Sequence, residues 1–205
     1  MENLFLKYSI PELVKSLEKR DLLFIDIANT LIKTISDVEK NTHAWVCSDT
    51  DKIKNSFLQA ENEFNRNGVS QPLRGIPFGV KDIFNTKEYP TQMGSPTWKG
   101  FTPGNNARVI DSLVFNGGIV AGKTVTAEFA VHALNETLNP HDVTRTPGTS
   151  SSGSAAAVAR GMVPFSLATQ TAGSIIRPAS FCGIWGMKPS FGLVPRTGIL
   201  KTTDS

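Results

Sequence analysis

The sequence predicts an α/β fold, and three observations carry that prediction. Stretches whose apolar residues recur at spacings of three and four alternate with short continuous apolar runs, and glycine-punctuated polar turns separate them. No internal repeat, charge block or linker interrupts this rhythm. The 205 residues suit one domain with a substantial core, the usual domain size being about 100 to 150 residues.

The elements follow in chain order. Ser9-Ile-Pro-Glu12 has the form of a capping box with proline in the first turn, and Leu13, Val14 and Leu17 continue at helical spacing, so a helix is expected over 10–19. Ala28, Leu31, Ile35 and Val38 mark a longer helix within 22–40, and residues 43–47 read as a strand. Ile53, Phe57, Ala60 and Phe64 define the apolar face of a third helix closed by Asn67-Gly68, so residues 1–70 form a largely helical layer. From Gly75 the character changes, because GIPFGVKD reads as a buried strand leading into a loop that carries Lys81. Beyond it, a helix within 103–116, a strand at 118–121 and a helix from Thr124 to about His132 are expected. A helix over 153–160, a strand near 164–169, a helical turn after Ser174 and a strand at 184–187 complete the pattern.

Composition excludes several classes of function. The net charge of +3 is small and scattered, which argues against a nucleic-acid or membrane surface. No apolar run approaches the ~20 residues of a membrane span, and the N-terminus lacks the apolar core of a signal peptide. Cys47 and Cys182 are read as free thiols in a reducing compartment, so the expected location is cytoplasmic. His43, His132 and His141 share no ligand spacing with each other or with the cysteines, and no metal site is expected.

The segment Gly117-Gly-Ile-Val-Ala-Gly122-Lys123-Thr124 matches the pattern of a phosphate-binding loop. Its context argues otherwise: a helix-period segment precedes Gly117, and Ile119, Val120 and Ala121 favour burial over an open loop. A strand leading into a helix accounts for the same residues.

The stretch 147–189 concentrates small hydroxyl and glycine residues that add little to a core. Ser150, Ser151, Ser152 and Ser154 open it, and a second polar turn, TQTAGS, ends on Ser174. Such serines also serve as helix caps and turn residues, a role that Ser152 or Ser154 would suit. A chemical role becomes attractive when Lys81 is set beside them. A lysine whose charge is disfavoured by burial can act as a base, and a serine in a glycine turn lies beside backbone N–H donors.

GIPFGVKD, PGTSSSGSAAAVARG and TQTAGSIIRPASFCGIWGMKPSFG strongly resemble the amidase signature family, serine hydrolases with a serine, cis-serine, lysine triad. A weaker likeness through AGKTVTAEFA and the N-terminal helices extends the resemblance over nearly the whole chain. It implies a mixed central β-sheet flanked by helices, with 1–205 as a single domain whose catalytic portion is 71–205. Motif by motif it implies Ser174 as nucleophile, Ser150 as proton relay and Lys81 as base. The backbone N–H groups of Thr171, Ala172, Gly173 and Ser174 would form the oxyanion hole, and Ser151 would support the site. The peptide Thr149-Ser150 would be cis, the substrate a small-molecule amide, and no cofactor is implied.

The chain also departs from the family pattern. Gln170 and Ala172 stand where the family commonly reads TDTGGS, and Thr149 stands where glycine is usual. The run 198–205 resembles the middle of the family text, so the fold is expected to be incomplete at its C-terminus. Two alternatives stay open: the glutaminase subunit of a tRNA-dependent amidotransferase, working with partner chains, and an inactive fragment or interaction module of the same fold. Oligomeric state does not follow from these residues.

Overall fold

The computed structural model of the protein describes residues 3–68 and 71–201. The last residues of the run 198–205, from 202 onward, lie outside the described residues.

The N-terminal part is helical, as its periodicity predicts. A single turn, α1 (Leu4–Lys7), leads into α2 (Ile10–Lys19). At the start of α2, Glu12 Oε2 accepts bonds from Ser9 N at 2.8 Å and from Ser9 Oγ at 2.7 Å. Helix α3 (Phe24–Val38) begins where the Asp26 carboxylate accepts from Leu23 N. After the short strand β1 (Trp45–Cys47), α4 (Thr50–Asn67) starts on Asp49, whose Oδ1 accepts from Asp51 N and Lys52 N. It stops at Gly68, which takes the left-handed conformation that glycine adopts without strain.

The remaining elements build the sheet: β2 (Ile76–Lys81), α5 (Arg108–Phe115), β3 (Gly118–Thr124), α6 (Ser152–Ala159), β4 (Phe165–Leu167) and α7 (Ile176–Phe181). Among the described residues the strands run in the order β1-β3-β2-β4. Strand β2 is parallel to both neighbours, while β1 is antiparallel to β3, so the sheet is mixed as expected. Leu13, Leu17, Ile27, Leu31, Ile53 and Phe57 of the helices pack on Ile76, Ile119 and Ala121 of the sheet to form the main core. A second cluster gathers Phe78 and Val80 of β2 with Ile83, Phe84 and Ile110.

Two expected elements are corrected. The helix expected from Thr124 to His132 does not form, because β3 continues through Thr124, which is in register with Lys81. Beyond it lies only a 3-10 turn at Glu128–Ala130, in which Phe129 and Ala130 have positive φ. The strand expected at 184–187 is likewise absent. No sheet neighbour reaches it among the described residues, and Trp185 is fully exposed.

The phosphate-loop reading of 117–124 finds no support in this geometry. Gly118–Thr124 is a strand with Ile119 and Ala121 buried, and Lys123 points into the interior rather than at an open loop. No helix of the described residues is long and apolar enough to cross a membrane.

Candidate active site

The site forms where the parallel strands end, the position at which α/β sheets commonly present chemistry. Lys81 is the last residue of β2 and is fully buried. Its Nζ donates to Ser150 Oγ at 2.8 Å and to Thr169 Oγ1 at 2.9 Å. Burial disfavours the ammonium form and brings the Lys81 pKa from 10.5 down to about 7.

Its neighbour Asp82 is equally buried but faces another cation. Asp82 Oδ1 lies 3.0 Å from Lys123 Nζ, and the carboxylate also accepts from Gln92 N. Lys123 Nζ donates further to Phe84 O, Pro90 O and Thr91 Oγ1. Burial pushes the Asp82 carboxyl up and the Lys123 ammonium down, and each charge opposes the other's shift. The nearest acidic side chain in sequence is thus occupied elsewhere, and Lys81 meets hydroxyl partners instead.

Ser150 sits one residue before the cap of α6 and is fully buried, and the peptide Thr149-Ser150 is cis. Helix α6 is built of small residues that approach the sheet closely. A Cβ on Gly153 would lie 2.3 Å from Ala44 O and 2.4 Å from Val125 N. That closeness lets Gly153 N donate to Val125 O and Ala127 N donate to Ser150 O, tying the serine turn to the chain beyond β3. Ser151 Oγ donates to Thr169 O at 3.3 Å, and Ser154 Oγ donates to Leu167 O and pairs with Thr124 Oγ1. Ser152 is engaged differently, with the side chain of Asn135.

Ser174 lies on the turn just before α7, half-buried, and lines the same 540 Å³ cavity as Ser150, Ser151 and Thr169. Among the described residues its hydroxyl makes no hydrogen bond to Ser150. The turn is shaped by Gln170, whose Oε1 accepts from Ile175 N and Ile176 N at 2.9 Å each. These bonds need an acceptor and no charge, so an amide serves where the family pattern has a carboxylate. Ala172 is not among the residues with positive φ, so its side chain is tolerated. The backbone N–H groups of Ala172, Gly173 and Ser174 donate to no backbone acceptor among the described residues, while Gly173 O accepts from Arg177 N. Thr171 and Ala172 are exposed, Gly173 half-buried.

The structure therefore brings Lys81, Ser150 and Thr169 into direct contact and places Ser174 on the same cavity. Sequence reasoning does not single out Thr169. Its signal is faint, since a threonine opening a polar turn is ordinary loop chemistry. Cys182 is buried with its thiol pushed up to about 12 by burial, and Cys47 is also free. Among the described residues no group of three or more histidine, cysteine or acidic side chains is placed to hold a metal ion.

A family model described as Amidase matches residues 26–205, and the chain belongs to that family. A glutamyl-tRNA(Gln) amidotransferase subunit from Legionella pneumophila is 38% identical over 97% of this chain and 42% of its own length. The solved structure of a peptide amidase from Stenotrophomonas maltophilia superimposes with a TM-score of 0.89 at 28% identity, over 98% of this chain and 44% of that one. The corresponding glutamyl-tRNA(Gln) amidotransferase subunit from Thermotoga maritima does so with a TM-score of 0.79 at 31% identity, again over 98% of this chain and 42% of that one. The chain thus spans about two fifths of the length of the relatives it matches.

Proposed function

We propose that the chain carries the catalytic residues of an amide hydrolase, with Ser174 as nucleophile, Ser150 as proton relay and Lys81 as base. The observation that carries this reading is a fully buried lysine held at 2.8 Å from a serine hydroxyl. A pKa of about 7 leaves a substantial fraction of the amine neutral at neutral pH, which a base requires.

In the first step Ser174 Oγ attacks the amide carbon as its proton passes through Ser150 to Lys81, giving a tetrahedral oxyanion. The N–H groups of the Thr171–Ser174 turn stabilise that oxyanion, each donor of this kind contributing about 100- to 1,000-fold in rate. The C–N bond breaks as the nitrogen takes the proton back, leaving an ester on Ser174. Water then attacks the ester, releasing the carboxylic acid and restoring the serine. Ser151 supports the strand end through Thr169 O. In the substrate complex Ser174 Oγ must come within reach of Ser150, a contact that free enzymes often make only on binding.

A second reading inside the family is favoured by the relatives, several of which are glutamyl-tRNA(Gln) amidotransferase subunits. In that reading the amide is a glutamine side chain and the ammonia passes to a partner's reaction. A fluorophosphonate probe tests the common chemistry. Labelling confined to Ser174, lost in Ser174→Ala and weakened in Lys81→Ala, is expected. Labelling that survives Ser174→Ala sinks the assignment, and ammonia release from free glutamine compared with other amides separates the two substrates. A folded protein that no such probe labels would leave an interaction module as the better description.

A further inference from the structure

The first turn of α7 carries a cation back over the turn that holds Ser174. Arg177 N donates to Gly173 O at 2.8 Å, and the arginine side chain folds over the same glycine. A Cβ on Gly173 would lie 3.3 Å from Arg177 Nη2 and 3.6 Å from its Nε, so this edge of the guanidinium rests against the residue immediately before Ser174. The Nε and Nη2 edge presents two parallel N–H groups, the pair that matches a carboxylate. Arg177 is exposed, and among the described residues its guanidinium makes no ion pair or hydrogen bond. The fork is therefore available to an anion supplied from outside the chain.

The cavity beside this turn has the same sign. Lys188, Arg196 and Lys201 line it, and among the described residues no aspartate or glutamate does. Ser174, Ile175 and Pro178, the neighbours of Arg177 in the chain, belong to its wall. A cleft lined by one sign of charge concentrates ligands of the opposite sign and disfavours ligands of its own. We propose that Arg177 is a specificity-determining residue, which holds a carboxylate borne by the amide substrate, and that the substrate class is a short amide carrying one carboxylate. The chain is short because the fork rests one residue from the nucleophile, which places the carboxylate a few bonds from the amide carbon. This inference rests on the amide-hydrolase reading above and names the substrate class of that site.

The test compares succinamate with succinamide, its neutral diamide, at matched ionic strength. Binding is read by calorimetry in a Ser174→Ala background, which cannot form an ester. Succinamate is expected to bind about tenfold more tightly than succinamide, and Arg177→Gln removes that advantage. Arg177→Lys, which keeps the charge and loses the fork, restores only part of it. With Ser174 intact, the ratio of kcat/KM for succinamate to that for succinamide falls about tenfold in Arg177→Gln, and the fall is carried by KM. Equal binding of the two probes by the parent protein overturns the proposal. So does an equal loss for both probes in Arg177→Gln, which would make the arginine a general support of the turn. If a fluorophosphonate fails to label Ser174 while succinamate still binds through Arg177, the hydrolase reading falls and the carboxylate site stands.

Discussion

Lys81 combines two properties that water normally keeps apart, an amine and complete burial. Its pKa falls from 10.5 to about 7, so the unfolded chain binds a proton between those values that the folded chain does not. Stability should therefore rise as pH climbs from about 7 toward 10.5, and below about 7 the full cost of charging a buried amine is present. Lys81→Met is expected to remove that slope, with its stabilising effect greatest at low pH, as read from melting temperatures across a pH series. In the native protein, single-turnover acylation should rise with pH through about 7 as the amine deprotonates. A flat profile there would argue against Lys81 as base. Thr169 supplies the second hydroxyl at Nζ, and Thr169→Val should lower kcat/KM by about 10- to 100-fold, one hydrogen bond to a charged group being worth about 1.5 to 3 kcal/mol. Unchanged kinetics in that variant would make Thr169 a bystander.

At the scale of elements, the site depends on how closely α6 can lie against β3 and the chain that follows it. Gly153 is the point of contact, where a Cβ would meet backbone atoms that cannot move aside independently. Gly153→Ala is expected to destabilise the fold by about 1 to 3 kcal/mol, since overpacking a tight site forces backbone shifts. Denaturant titration measures it, and a change below about 0.5 kcal/mol, ordinary for surface positions, would show that the contact yields. The loop after β2 is held by a different device: Lys123 binds Asp82, Phe84 O, Pro90 O and Thr91 Oγ1 at once. Losing one partner of such a buried pair typically costs about 3 to 5 kcal/mol. Lys123→Met should therefore lower the melting temperature sharply, and ATP should stabilise neither form. Stabilisation by ATP that vanishes in Lys123→Met would restore the phosphate-loop reading.

Across the whole molecule, one face stands out for what it leaves uncovered. Trp185 is 100% exposed, Met187 and Phe191 76% each, and Leu193 71%. Trp185, Met187 and Phe191 also border the 540 Å³ cavity that holds Ser174. Contiguous apolar surface of this kind drives association when nothing covers it. The 205-residue chain taken alone is expected to self-associate at micromolar concentration, and a triple variant Trp185→Ser, Met187→Ser, Phe191→Ser should shift it toward monomer in sedimentation experiments. A monodisperse parent chain would refute this.

Much of the architecture is legible in the sequence because it is local. The capping box at Ser9, the apolar faces of α2, α3 and α4, and the short runs that become β2 and β3 follow from spacing and cap chemistry, whatever the rest of the chain does. The serine turns and Lys81 are legible as chemistry-bearing residues, and their likeness to a family supplies the roles. The two misplaced elements fail because their states are set from outside. Thr124 extends a strand because Lys81 lies beside it, and 184–187 lacks the neighbour that a strand requires. The sequence by itself determined the helices of the N-terminal layer, the buried runs of β2 and β3, and Lys81 with the serine turns as candidates for chemistry, since these depend on near neighbours. Only the tertiary structure decided that Lys81 is dry and meets Ser150 and Thr169, and that Asp82 turns to Lys123. Those outcomes rest on burial and on partners tens of residues away, which no local pattern records.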